Sequence, residues 1–111
     1  MSESAYYSDD DLNLDIPAGS DNGIPPKPIQ KENAHYPSDA RKQGITGRVE
    51  VKMLVLKDGS VKRAKIAKST NLIFNESALR AAMKWTFIPA TENDKPINAW
   101  VIVPFLFSLD N

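Results

Sequence analysis

Cysteine is absent from the 111 residues, which excludes a disulfide framework and every site built on a thiolate, whether nucleophile or zinc ligand. Histidine is nearly absent: His35 is the single imidazole, too few for metal sites that draw several ligands from His or Cys. No apolar run approaches the roughly eighteen residues of a membrane span, and the N-terminus has neither the basic start nor the apolar stretch of a signal peptide. The chain as it stands reads as soluble and without an address, or equally as a piece of a longer protein. A Gly-rich phosphate loop, a Gly-x-Ser-x-Gly elbow and paired catalytic carboxylates with flanking glycines are missing too. The expectation is a protein that is not an enzyme and needs no cofactor.

What is present divides near Asn33. The formal charge of zero, 14 basic against 14 acidic residues, averages two unlike parts. From Met1 to Asn33 seven acids face two lysines; from Ala34 to Asn111 twelve basic residues face seven acids. Ten of the first 33 residues are apolar and 36 of the other 78, so only the second part can build a core. The first part is rich in Ser, Asp and Asn and carries Pro17, Pro25, Pro26 and Pro28, with no sustained period among Leu12, Leu14 and Ile16. Residues 1–33 are therefore expected to form a flexible, acidic, proline-containing linker. Within it Ile24 to Ile29 should be extended, because each proline fixes its own φ and moves its predecessor out of the helical region.

Residues 34–111 are expected to fold as one domain. Pro37 at a helix start, Asp39 in the first turn, Arg41 and Lys42 in the last and Gly44 as a stop predict a helix of about two turns. From Gly47 the period becomes two, with Val49, Val51, Met53 and Val55 on one face. Asp58-Gly59 signals a hairpin into a second strand through Val61, Ala64 and Ile66, studded with Lys62, Arg63, Lys65 and Lys68. A second helix opens at Phe74-Asn75-Glu76, with Asn75 as cap and Ala78, Leu79, Ala82, Met83 and Trp85 as its buried stripe. The last strand, Asn98 to Ser108, is apolar on both faces. The fold class is α+β: a three-stranded antiparallel sheet with two helices packed on one face, in the order α-β-β-α-β.

These landmarks together resemble the C-terminal domain of the TonB family over about residues 34–107. They are Tyr36-Pro37 with Ala40 and Arg41, Gly47-Arg48-Val49, Asp58-Gly59 before Val61, Ser69, Ala78, Trp85-Thr86-Phe87-Ile88-Pro89-Ala90, Lys95-Pro96-Ile97 and Pro104-Phe105-Leu106-Phe107. Their order and spacing carry the resemblance, and the Trp-x-Phe-x-Pro-Ala element is its most telling piece. Two departures stand out: Asp94 precedes Lys95-Pro96 where the family more often has glycine, and an N-terminal membrane anchor is missing.

The resemblance implies a periplasmic domain, anchored in the inner membrane, that couples the proton gradient to outer-membrane transporters and so to uptake of substrates such as siderophores. It implies a TonB-box peptide added as a strand to Asn98, Ala99, Trp100, Val101, Ile102 and Val103, and inner-membrane motor proteins reached through the missing anchor. It also implies a second transporter contact at His35, Tyr36 and Ser38, which Arg48 would join. The residues supply an independent reason: if the first strand is central, the last lies at an edge, where main-chain groups can accept a peptide and Pro104 is tolerated. Trp100, Ile102 and Leu106 should point away from the helices, with Leu54 and Leu56 beside them. Three covers are open for this apolar face: a partner, a second copy in a homodimer, or the N-terminal arm. A reading from another class is a structural or scaffolding module that dimerises through the exposed strand without transport. Nucleic acid is not expected, because the lysine-rich hairpin lacks an aromatic residue to stack a base.

Overall fold

The computed structural model describes residues 23–109. In chain order the elements are β1 (Gly23–Ile24), β2 (Lys27–Gln30), α1 (Ser38–Lys42), β3 (Gly47–Val55), β4 (Val61–Ser69), a 3₁₀ turn (Leu72–Phe74), α2 (Asn75–Ala82), β5 (Thr86–Ile88), β6 (Ala90–Glu92), β7 (Lys95–Ile97) and β8 (Ala99–Phe107). The class is α+β, with antiparallel sheets and two helices. The main sheet runs β4-β3-β8, with the alternating strand β3 at its centre. Beside it lie two small sheets that the expected single three-stranded sheet did not include: β1-β6-β7 and β2-β5.

The small sheets change the account of the N-terminal segment. Lys27 pairs with Ile88 and Pro28 with Phe87, while Gly23 and Ile24 pair with Glu92 and Thr91. Residues 23–30 are extended, as the prolines require, but they are paired strands on the domain and not free linker. Trp85 reinforces the attachment, its Nε1 donating to the Glu32 carbonyl at 3.0 Å. The part of the expected linker before residue 23 lies outside the described residues.

One face of the main sheet makes the core. Val49, Val51, Met53 and Val55 of β3 and Phe105 and Phe107 of β8 are buried together with Ala40 of α1 and Ala78, Leu79, Ala81 and Ala82 of α2. Small residues on α2 let its backbone approach the sheet closely, and burial of each large apolar side chain is worth about 1.5–3 kcal/mol. The aromatic residues divide into two groups. Phe74 stacks on Phe107 with centroids 4.2 Å apart, and Tyr36 meets both edge-on. Trp85 packs edge-on against Phe105 at 5.6 Å and beside Phe87. Met83, placed by spacing on the buried stripe of α2, is exposed, because the helix ends at Ala82 and Met83 begins the turn to Trp85.

Local chemistry fixes the ends of these elements. Gly44 ends the α1 turn at φ +68°, and the Ile45 N–H closes back on the Ala40 carbonyl at 2.9 Å. The cap that leads into α2 is Asn71 and not Asn75: its side chain accepts from the Ile73 N–H at 3.0 Å and opens the 3₁₀ turn. Asn75 accepts instead from the Ser69 hydroxyl at 2.6 Å, tying the helix to the end of β4. The hairpin between β3 and β4 turns at Gly59, with φ +90°, where a Cβ would drive into the Phe87 carbonyl. The Phe87 N–H in turn donates to the Gly59 carbonyl at 2.9 Å. Ser60 gives Asp58 both its hydroxyl and its backbone N–H, which holds that carboxyl below its ordinary range. This contribution to the turn is full above the usual carboxylate range and is lost as pH falls through the lowered value.

Candidate functional site

The features that a peptide could use converge on β8. Its register with β3 is unbroken from Val55↔Ala99 to Gly47↔Phe107, and no described strand pairs with its other side. An unbroken ladder past Pro104 requires the proline nitrogen to face outward, since an inward position would cost a donor to β3. Backbone direction alternates along a strand, so the N–H groups of Trp100, Ile102 and Leu106 face outward with it. The outer edge therefore offers three donors, interrupted once at Pro104.

The same alternation places those side chains on the face opposite the helices. Ile102 and Leu106 are 52% and 69% exposed, and Trp100 is half-buried. Leu54, opposite Trp100 in the register, is fully buried although it lies on this second face and outside the main core cluster. The Trp100 ring carries the Lys52 and Lys65 ammonium groups at 5.1 and 5.9 Å from its centroid. Cations over an aromatic face are attracted by its quadrupole, so the ring and the two ammonium groups hold one another in place.

The remaining strand candidates are less exposed. Val101 and Val103 are half-buried and pack against the core, and Ala99 is buried. Asn98 is a structural pin: its side-chain oxygen accepts from the Lys57 N–H at 2.9 Å and fixes the entry to β8. By the same alternation the backbone groups of Ala99, Val101 and Val103 are turned to β3, so the main-chain contacts of an added strand fall to Trp100, Ile102 and Leu106.

His35, Tyr36, Ser38 and Arg48 lie at the far end of the same strand. Tyr36 touches Phe107, and Arg48 is opposite Leu106 in the register, whereas the first group begins at Asn98 and enters β8 at Ala99. Eight residue steps of strand separate the two ends, about 27 Å. Tyr36 is committed to structure, with its hydroxyl donating to the Ile45 carbonyl and the Arg41 guanidinium 5.0 Å from its ring centre. The His35 carbonyl accepts from the Ser77 hydroxyl, leaving the imidazole exposed. Ser38 opens α1 in solvent, and Arg48 is exposed and paired to Glu50 at 3.1 Å.

One feature was not anticipated from the sequence. Residues Glu32 to Pro37 and α2 border an open groove of about 440 Å³, lined by His35, Ile73, Ser77, Arg80 and Lys84 among others. Its formation depends on the Glu32–Trp85 and His35–Ser77 attachments, between residues 53 and 42 positions apart in the chain, which no local pattern reveals. Among the described residues no cluster of His, Asp or Glu could hold a metal ion, and no helix is long and apolar enough to cross a membrane.

Comparison with known proteins gives consistent matches. Residues 32–109 match the family model described as Gram-negative bacterial TonB protein C-terminal. The chain is 34% identical over 76 residues, 68% of its length, to the protein tonB2 of Pseudomonas aeruginosa, and 28% identical over 96 residues, 86% of its length, to the TonB protein of that organism. It spans 28% of the length of each. The solution NMR structure of the P. aeruginosa TonB C-terminal domain superposes with a TM-score of 0.65 at 28% identity, over 84% of this chain and 95% of the other.

Proposed function

The chain belongs to the Gram-negative bacterial TonB C-terminal family, and on that premise we propose that it is the periplasmic, energy-transducing domain of an inner-membrane-anchored protein. Its β8 receives the TonB box of an outer-membrane transporter as an added strand, and tension from motor proteins in the inner membrane reaches the transporter through that contact. It acts by binding and has no catalytic step. The observation that carries this reading is the open edge of β8, unbroken in register and unpaired among the described residues. Main-chain hydrogen bonds there supply affinity with little dependence on sequence, and the Trp100 and Ile102 side chains meet alternate residues of the incoming strand. His35, Ser38 and Arg48 form a second contact at the other end of β8, held in place by Tyr36.

NMR titration with TonB-box peptides tests the reading: shifts should concentrate between Asn98 and Phe107, and their absence there would reject it. The exposed Ile102 and Leu106 side chains favour one other reading, a scaffold that dimerises through the same edge. Sedimentation at rising concentration separates the two, since a peptide receiver stays monomeric where a scaffold associates tightly.

A further inference from the structure

Between β2 and α1 a strap of chain runs from Lys31 to Tyr36 with almost none of its backbone paired. No N–H of these six residues donates to a described residue, and only two of their carbonyls accept, Glu32 from the Trp85 indole at 3.0 Å and His35 from the Ser77 hydroxyl. Main-chain groups are ordinarily paired, and Ala34 and Tyr36 within this run are half-buried against the core. The two attachments lie three residues apart on the strap and eight apart along α2 and the turn that follows it. That is about 10 Å of extended chain beside about 12 Å of helix, so the strap runs extended and antiparallel to α2.

The groove of about 440 Å³ lies between these two walls. Its helical wall presents Ile73, Ser77 and Ala81 at every fourth position, which is one face of a helix. That face is apolar apart from Ser77, whose hydroxyl already donates to His35. Arg80 and Glu76 close on each other at 2.9 Å. Lys84 ends the helical wall, and Glu32 stands at the same end of the strap, because its carbonyl is held by Trp85, the residue after Lys84. Neither Lys84 nor Glu32 has an ionic partner among the described residues. The groove thus offers unpaired main-chain groups on one wall, an apolar floor on the other, and two open charges of opposite sign at one end.

We propose that this groove is a second peptide site, separate from β8. An extended segment of a partner protein pairs its main chain with the free groups of Lys31 to Tyr36 and lays apolar side chains on Ile73 and Ala81. Next to them it carries neighbouring charges of opposite sign, a carboxylate for Lys84 and a cation for Glu32. From Ile73 to Lys84 the helical wall is about 16 Å long, room for about five extended residues. A segment antiparallel to the strap runs in the direction of α2, so its apolar residues come first and its charge pair last. Main-chain pairing supplies affinity, while the apolar floor and the two charges select the sequence. The site uses no group of β8 and stands whether or not a TonB box binds there.

The probe is the blocked peptide acetyl-Val-Thr-Val-Glu-Lys-amide, titrated into the full chain and followed by NMR. The amides of Asn33, Ala34, His35, Ser77 and Lys84 should move together with a Kd of about a millimolar. Shifts at Trp100, Ile102 and Leu106 report β8 separately. Lys84→Glu, at an exposed position, should weaken the strap binding about tenfold, whereas Lys62→Glu, the same change of charge on β4, should leave it within about twofold. Methylating the peptide nitrogens one at a time removes its donors without touching the protein. In strand pairing every second methyl group should weaken binding about tenfold and those between should have little effect. Unmoved strap amides at about 5 mM peptide would overturn the site, and so would a loss spread evenly over all the methylated peptides. Movement confined to Trp100, Ile102 and Leu106 would place the probe on β8, which overturns the groove and leaves the proposed function standing. Strap shifts with the probe, beside a TonB-box peptide that moves nothing on β8, overturn the proposed function and leave the groove.

Discussion

The main sheet ends in two edges, and they are treated in opposite ways. On β4 the register with β3 slips twice, between Glu50 and Val51 and between Leu54 and Val55, and Lys62 and Lys68 stand exposed along the strand. At its entrance, the bridge between Ser60 and Thr86 and the bond from Phe87 to Gly59 draw β5 over the edge. On β8 the register never slips, and the exposed side chains are Ile102, Pro104 and Leu106. Bulges, lysines and a covering segment are devices that stop a sheet from growing, and β4 has all three. The edge on β8 has only Pro104. Among the described residues, protection on one side and openness on the other leave a single edge of the main sheet for the strand addition proposed above.

Substitutions can break this contrast at several strengths. The largest effect is expected from Gly59→Ala, which forces a Cβ into the Phe87 carbonyl at a positive φ and so detaches β5 from the entrance of β4. A loss of about 3 kcal/mol or more in denaturant-induced unfolding is expected, and a loss below about 1 kcal/mol would show that β5 yields easily. Next is Ile102→Pro, which removes an outward donor from β8 without touching the core. Affinity for a TonB-box peptide should fall about a hundredfold, equivalent to about 2.7 kcal/mol, while the unfolding midpoint stays within a few degrees. Lys62→Val with Lys68→Val weakens the guard on β4: sedimentation should reveal new self-association with peptide binding unchanged. The smallest effect lies in the β6–β7 turn, where Asn93 and Asp94 have φ values of 53° and 69°. Asp94→Gly should stabilise the fold by about 0.5–1 kcal/mol, measured by the same unfolding titration, and leave both edges as they are.

The main sheet was legible in the sequence because each of its signals is local. Alternation through Val49, Val51, Met53 and Val55 declares a half-buried strand, and Asp58-Gly59 declares the hairpin that follows. The positions of His35, Ser38 and Arg48 in solvent were legible from the same kind of pattern. The small sheets were not, since Gly23 finds Glu92 and Lys27 finds Ile88 across most of the chain, and a proline-rich segment looks alike whether it is paired or free. Tyr36 shows another limit. An aromatic residue beside a proline at a helix entrance gives no hint that its hydroxyl will reach Ile45 and its ring will meet both Phe74 and Phe107 edge-on. The burial of Leu54, which lies opposite Trp100 on the second face, likewise has no local mark.

The attachment of β1 and β2 matters most when the domain is considered as a mechanical part. A pull on the chain upstream of Gly23, opposed by anything held on β8, loads the two short strands first and the main sheet last. Strands of two and four residues peel before a nine-residue ladder does. Peeling residues 23–31 would release slack of about 30 Å before the Trp85 anchor at Glu32 is strained and the core begins to carry load. Under the proposed function, the N-terminal pairing is a spring in series with the grip, absorbing the first part of a tug so that the grip is not torn loose by it.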